Sequence, residues 1–191
     1  MPAVQEQFVL SRLPSPIGEI LVAVDAEARL RVLDFADYEE RMHRLLRRRY
    51  GPGGVRLTEG PASASIREPI AAYFDGELTA IDAIPVKTAG TPFQLDAWAA
   101  LRAIPAGTIS SYGVQAARIG RPAAVRAVGL ANGANPIGIV VPCHRVIGAN
   151  ASLTGYGGGI ERKRWLLAHE GVEIAETAGL SQRQAELALQ P

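Results

Sequence analysis

Apolar positions recur along the chain with two periods, one of strands and one of helices. Short apolar runs at 17–24 (IGEILVAV) and 29–35 (RLRVLDF) enclose a polar turn from Asp25 to Ala28, which predicts two paired strands. From Tyr38 to Tyr50 the spacing becomes helical, with Met42, Leu45 and Leu46 facing inward. The outer face of that helix is rich in arginine and reads as a solvated surface rather than a DNA contact. GPGG at 51–54 stops it, and a second helix ends near Tyr73-Phe74-Asp75-Gly76, with Pro69 at a kink or near its start. Thr91-Pro92-Phe93-Gln94 has the form of a capping box with proline at the first helical position, and Phe93, Ala97 and Leu101 then mark one buried stripe. Two short helices follow at about 112–119 and 122–132, separated only by Gly120-Arg121. Such a pair resembles a helix-turn-helix, although apolar helix pairs with short turns also occur in ordinary cores. IGIVV at 137–141 reads as a buried strand leading into Pro142-Cys143-His144-Arg145. A glycine-rich stretch, Gly155 to Gly159, precedes a last helix at about 160–169 with Gly171 at its C′ position.

These elements predict an α+β protein in two parts. Residues 1–85 form an N-terminal α/β domain, 86–91 a linker, 92–171 a mostly helical C-terminal domain, and 172–191 a tail.

Composition narrows the classes. The formal net charge is only +1, but its distribution is uneven. Residues 91–170 carry eight Lys/Arg against three acids, Asp96, Glu161 and Glu170, whereas residues 1–90 carry eleven bases and thirteen acids. The second part is therefore the one suited to a polyanion. A single cysteine excludes an internal disulfide and a CxxC zinc site, and it fits a reducing cytoplasm. Neither a secretory signal pattern nor an apolar run of membrane-spanning length is present, so no membrane partner is expected.

Candidate chemistry centres on Cys143. A lone cysteine is more often a buried structural residue, but His144 and Arg145 beside it are groups that favour a thiolate nucleophile. The string Asn135 to Gly148 (NPIGIVVPCHRVIG) closely resembles the active-site signature of the O6-alkylguanine-DNA alkyltransferases. The match extends to Ser111-Tyr112-Gly113, to Arg126-Ala127-Val128-Gly129, to Leu153 through Gly159 (LTGYGGG), and to Trp165 through Gly171 (WLLAHEG). It covers residues 91–171 densely and includes AYFDGEL at 72–78 more weakly.

The resemblance implies an RNase H-like N-terminal domain and a C-terminal domain with a winged helix-turn-helix-like DNA-binding motif. It implies direct-reversal repair: the alkyl group of O6-alkylguanine, and of O4-alkylthymine, moves irreversibly to Cys143 by SN2 attack after base flipping, one turnover per molecule. His144 matches the histidine that deprotonates the thiol through a water, and Glu170 the carboxylate that orients it. Asn135 matches the residue tying the helix-turn-helix to the cysteine segment. Tyr112 matches a guanine and phosphate contact, and Arg126 the finger that fills the vacated stack from the minor groove. The carbonyls of Cys143 and Val146 accept from the guanine amine, and Tyr156 and Gly157 line the pocket. No metal and no cofactor are implied; the expected partner is double-stranded DNA, and the expected state a monomer. Gly138 stands where some relatives have proline, which suggests a roomier pocket.

Three other readings remain open on the residues alone: a binding-only alkyltransferase-like protein, a Cys–His hydrolase and a DNA-binding regulator. The first replaces the cysteine, which is intact here. The hydrolase leaves the helix pair and Arg126 without a purpose, and the regulator leaves Pro142-Cys143-His144-Arg145 without one.

Overall fold

A strand that the hydrophobic pattern did not single out organises the N-terminal sheet in the computed structural model, which describes residues 5–149 and 152–173. This strand, β1 (Glu6–Leu13), pairs antiparallel with β2 (Ile20–Val24) and parallel with β4 (Val55–Glu59). With β3 (Leu30–Phe35) the sheet order is β3-β2-β1-β4. Phe8 and Leu10 of β1 pack with Leu21, Ala23 and Val32 against Met42 and Leu46 of α1 (Glu39–Tyr50). β2 begins at Ile20 rather than at Ile17, because Gly18 sits at φ 108° in a turn closed by its N–H to the Ser15 carbonyl. α2 (Ala64–Phe74) buries Ile66, Ile70 and Tyr73 and carries Pro69 inside. Pro85 and Lys87 hydrogen-bond Leu30 on the edge of β3.

The chain divides between Ala89 and Gly90 into two compact units. In the second, α3 (Pro92–Arg102) opens with the full capping box: Gln94 N–H donates to Thr91 Oγ1 at 3.3 Å, and Thr91 N–H to Gln94 Oε1 at 3.1 Å. Its buried stripe is Ala97, Trp98 and Leu101, with Phe93 only half-buried.

β5 (Ser110–Ser111) leads into α4 (Tyr112–Arg118). Gly120 at φ 70° ends α4, with its N–H on Ala117 and that of Arg121 on Ala116. Arg121 to Ala124 then make a turn, so α5 (Val125–Gly133) starts later than its expected 122. Polar side chains lock the helix group: Gln115 and Asn132 exchange amide bonds at 3.0 and 2.7 Å, Gln115 also donates to Ala97 O, and Trp98 Nε1 donates to Ala131 O at 2.9 Å.

α6 (Ile160–His169) ends as expected at Gly171, φ 79°, with Gly171 N–H on Ala168 and Val172 N–H on Leu167. Val172 and Leu167 also share an apolar cluster, the contact that accompanies this cap. Most of the expected tail, residues 174–191, lies outside the described residues. Among the described residues no helix is long and apolar enough to cross a membrane. The whole is the α+β arrangement that the hydrophobic pattern predicts: a sheet-and-helix unit followed by a mostly helical one.

Candidate active site

The segment before the cysteine is buried but is not a strand, which corrects the expectation for 137–141. Val140 N–H reaches back to Gly138 O at 2.7 Å around Ile139, which is forced to φ 67°. A positive φ at a β-branched residue costs of order 1–3 kcal/mol and persists only when its surroundings impose it. A second three-residue turn around Pro142 (φ −82°, ψ 66°) puts Cys143 N–H on Val141 O at 2.8 Å. Apart from a single bridge position at Ile137 the backbone here turns on itself, and this compaction presents Cys143 at the start of a 3-10 turn, Cys143–Arg145. Immediately after it β6 (Val146–Ile147) pairs parallel with β5, anchoring Val146 to Ser110.

Asn135 imposes the coil. Its Oδ1 accepts from Ile137 N–H at 3.0 Å, while Nδ2 donates to Val141 O at 2.7 Å and to the sulfur of Cys143 at 3.3 Å. Both amide atoms are used and the residue is 1 % exposed. Cys143 itself is half-buried.

His144 is fully buried, and its Nε2 lies 3.0 Å from Glu170 Oε1. Burial pushes the imidazole below the ordinary histidine value against the pull of Glu170, so it is neutral at neutral pH. Nε2 then donates to the carboxylate, leaving the Nδ1 lone pair without a protein partner among the described residues. Burial alone would raise the Glu170 carboxyl, but His144 and Arg145 hold it well below the usual carboxylate range. Arg145 contributes Nε to Oε2 at 2.9 Å and Nη2 to Oε1 at 2.8 Å, and its Nη1 donates to Ile104 O at 2.6 Å.

Lys163 is a second buried base. Its Nζ donates to Val146 O at 2.6 Å and Thr154 O at 3.0 Å, and burial pushes its pKa down to about 8, with Cys143 pulling the other way. The hydroxyls of Thr154 and Tyr112 are 3.0 Å apart, and Tyr112 packs beside Gly129 of α5. Tyr156 meets the His144 ring edge-on, with centroids 6.3 Å apart, and Gly157 follows it in the half-buried glycine turn.

Contacts thus join Cys143, Asn135, His144, Glu170, Val146, Tyr156 and, through Thr154 and Lys163, Tyr112. Arg126 stands outside this network, exposed on α5. Lys163 was not among the expected site residues, and Arg145, expected to favour the thiolate, instead bonds Glu170 and Ile104 O. Their signal was present in outline: Arg145 lies within the cysteine motif, and Lys163 is seven residues before Glu170, hence on the same helix face as Leu166 and Leu167.

Among the described residues no group of three His, Cys, Asp or Glu is placed to hold a metal ion. The arrangement supplies a half-exposed thiol, a neutral imidazole with one free nitrogen, and a carboxylate fixed by a guanidinium, the elements of activated-nucleophile chemistry.

Comparison with known proteins finds one family over both units. The family model described as "6-O-methylguanine DNA methyltransferase, DNA binding domain" matches residues 92–172, and that described as "6-O-methylguanine DNA methyltransferase, ribonuclease-like domain" matches residues 9–88. The chain is 49 % identical over 160 residues to a methylated-DNA–protein-cysteine methyltransferase of Salmonella typhimurium, covering 84 % of this chain and 94 % of the relative. A protein of the same name from Haemophilus influenzae is 42 % identical over 159 residues, covering 83 % and 84 %. Among solved structures, Mycobacterium tuberculosis OGT in complex with DNA superposes with a TM-score of 0.72 at 43 % identity, covering 86 % of this chain and 92 % of the other. An O6-methylguanine-DNA methyltransferase from Pyrococcus kodakaraensis gives 0.68 at 26 % identity, covering 86 % and 99 %.

Proposed function

The chain belongs to the 6-O-methylguanine DNA methyltransferase family, and from that premise we propose how its residues divide the work. The protein is a methylated-DNA–protein-cysteine methyltransferase acting in direct-reversal DNA repair, and DNA is its partner. Cys143 is the acceptor. Its thiol proton passes to Nδ1 of His144, directly or through one water, while Glu170 keeps the imidazole in the tautomer that leaves Nδ1 free. The thiolate attacks the alkyl carbon in line; the S–C bond forms as the C–O6 bond breaks, and the electron pair goes to O6. A proton returns to guanine N1, so the products are guanine and a cysteine thioether. A thioether has no ready leaving route, and each molecule therefore acts once.

Guanine O6 lies within the base stack, so the lesion is extruded into the pocket at a cost of a few kcal/mol, least for a damaged pair. Arg126 on α5 fills the space left behind. Tyr112 contacts the flipped base and its phosphate, and the carbonyls of Cys143 and Val146 receive the exocyclic amine. Lys163 already occupies one lone pair of Val146 O, which leaves the second for the base. Asn135 positions the sulfur, while Tyr156 and Gly157 form the pocket wall. The domain boundaries that serve this reading are 1–85, 86–91 and 92–171. O4-alkylthymine presents the same alkyl–oxygen chemistry and is a second substrate. One chain carries every group named, so a monomer suffices, and a thiol that must stay reduced suits the cytoplasm.

The observation that carries this reading is the buried His144–Glu170 bond one residue from a half-exposed thiol. Intact mass after mixing with a duplex containing O6-methylguanine tests it. A single methyl is gained by the wild type and none by Cys143→Ser; unchanged mass with tight binding would favour a binding-only protein.

A further inference from the structure

Leu130 is the most exposed large apolar side chain among the described residues, at 77 %. A scattered exposed leucine is ordinary, so exposure alone argues nothing. Its place argues more. Leu130 follows Arg126 by four residues on α5 and shares its outward face, while Val128, Ala131 and Asn132 hold the opposite face in the core. The neighbours on the exposed side of the helix, Ala127 and Gly133, are small, and nothing lies within 4 Å of a Cβ built at Gly133. Arg126 and Leu130 therefore project from a low floor.

The charge around this face suits one partner. No Asp or Glu occurs between Asp96 and Glu161, whereas Arg118, Arg121 and Arg126 are exposed on the helix pair. A face of arginines without acids is complementary to a phosphate backbone. Proteins entering the narrow minor groove commonly add apolar wedges to their basic contacts, unstacking a base step or packing on sugars. Four residues apart, the two projections stand about 6 Å from each other along the helix axis, close enough to enter the same groove.

We propose that Leu130 is an apolar wedge that enters the DNA minor groove beside Arg126 and helps keep the duplex open around the extruded base. This rests on the reading of the protein as a DNA alkyltransferase. Leu130 acts on the duplex and not on the reacting atoms, which makes it a positioning residue. A single strand has no groove to wedge, so its contribution is confined to double-stranded substrate.

The test compares wild type, Leu130→Ala and Leu130→Met on one O6-methylguanine oligonucleotide, single-stranded and annealed, at subsaturating DNA. Methyl transfer is followed by intact mass. For Leu130→Ala the duplex rate falls about tenfold, the scale of one to two lost methylene contacts. The single-strand rate and the melting temperature stay at wild-type values, and Leu130→Met recovers most of the duplex rate. A 2-aminopurine beside the lesion brightens less on binding Leu130→Ala than on binding wild type. Equal duplex rates for wild type and Leu130→Ala, or an equal loss on both substrates, would overturn the wedge. No transfer by the wild type on either substrate is a different result, and it refutes the alkyltransferase reading itself.

Discussion

Arg145 and Glu170 form a bidentate, almost fully buried pair, Nε to Oε2 at 2.9 Å and Nη2 to Oε1 at 2.8 Å. Oε1 is shared with Nε2 of His144. A carboxylate at the C-terminal end of α6 would be disfavoured by the helix dipole, and the guanidinium removes that penalty while fixing the oxygen that orients the imidazole.

Removing one partner of this pair leaves a buried charge uncompensated. Arg145→Ala is expected to cost about 3–5 kcal/mol. Arg145→Lys keeps the charge but loses the planar fork and cannot serve both Glu170 and Ile104 O, so it too loses transfer rate. Denaturant unfolding and single-turnover methyl transfer check both variants; a wild-type rate in Arg145→Lys would show that the fork is dispensable.

Acid sensitivity follows from His144. Burial holds its folded pKa below the unfolded value of about 6.5, so below that pH the unfolded chain binds more protons and stability falls as pH drops. Glu170 is depressed by His144 and Arg145 despite its burial, so its contribution is present above the unfolded value of about 4.3 and is lost as pH falls further. The unfolding free energy therefore declines from pH 7 to pH 5, and it steepens below. His144→Gln flattens the upper limb, which the wild type retains. Chemical denaturation across that range measures both.

Asn135 carries three bonds whose partners are buried or half-buried. Asn135→Ala strands Ile137 N–H at about 1–3 kcal/mol, leaves Val141 O with only its bond from Cys143 N–H, and releases Ile139 from its positive φ. The expected result is a stability loss together with slower transfer. A variant equally slow but fully stable would mean that Asn135 acts on the sulfur alone.

Much of this architecture was legible in the residues, and the exceptions have physical causes. The capping box at Thr91 and the glycine cap at Gly171 are local motifs that need no tertiary context. β1 and β4 escaped notice because β4 buries no residue fully and β1 interrupts its apolar residues with Glu6, Gln7, Ser11 and Arg12. IGIVV reads as a strand because its side chains are buried; nothing in five apolar residues announces that Asn135 will bend the backbone onto itself. Cys143, His144 and Glu170 were singled out through a resemblance that covers residues 91–171 densely. Lys163 was counted only as a charge, since a lysine is rarely buried and its two carbonyl partners come from distant segments.

Pocket width is expected to depend on Gly138, which lies half-buried in the turn before the cysteine. Glycine there leaves room where a ring would narrow the wall, so O6-benzylguanine in a duplex should react nearly as well as O6-methylguanine. Gly138→Pro should slow the benzyl substrate selectively and spare the methyl one. Competition between the two oligonucleotides, read by intact mass, gives the ratio directly; equal slowing of both would indicate distortion of the Ile139 turn instead.

Reaction should weaken the fold of the protein that performs it. The sulfur of Cys143 accepts from Asn135 Nδ2 at 3.3 Å. Methylation replaces the thiol hydrogen, weakens the acceptor and adds a methyl group to a packed pocket, at about 1–3 kcal/mol of overpacking. At about 2–4 °C per kcal/mol for a chain of this size, the melting temperature should drop by about 2–12 °C. Calorimetry of the protein before and after stoichiometric reaction with duplex O6-methylguanine, with the DNA removed, measures the shift, and Cys143→Ser put through the same incubation shows none. An unchanged or higher melting temperature in the methylated protein would mean that the pocket absorbs the methyl group without strain and that Asn135 holds the turn through Val141 and Ile137 alone.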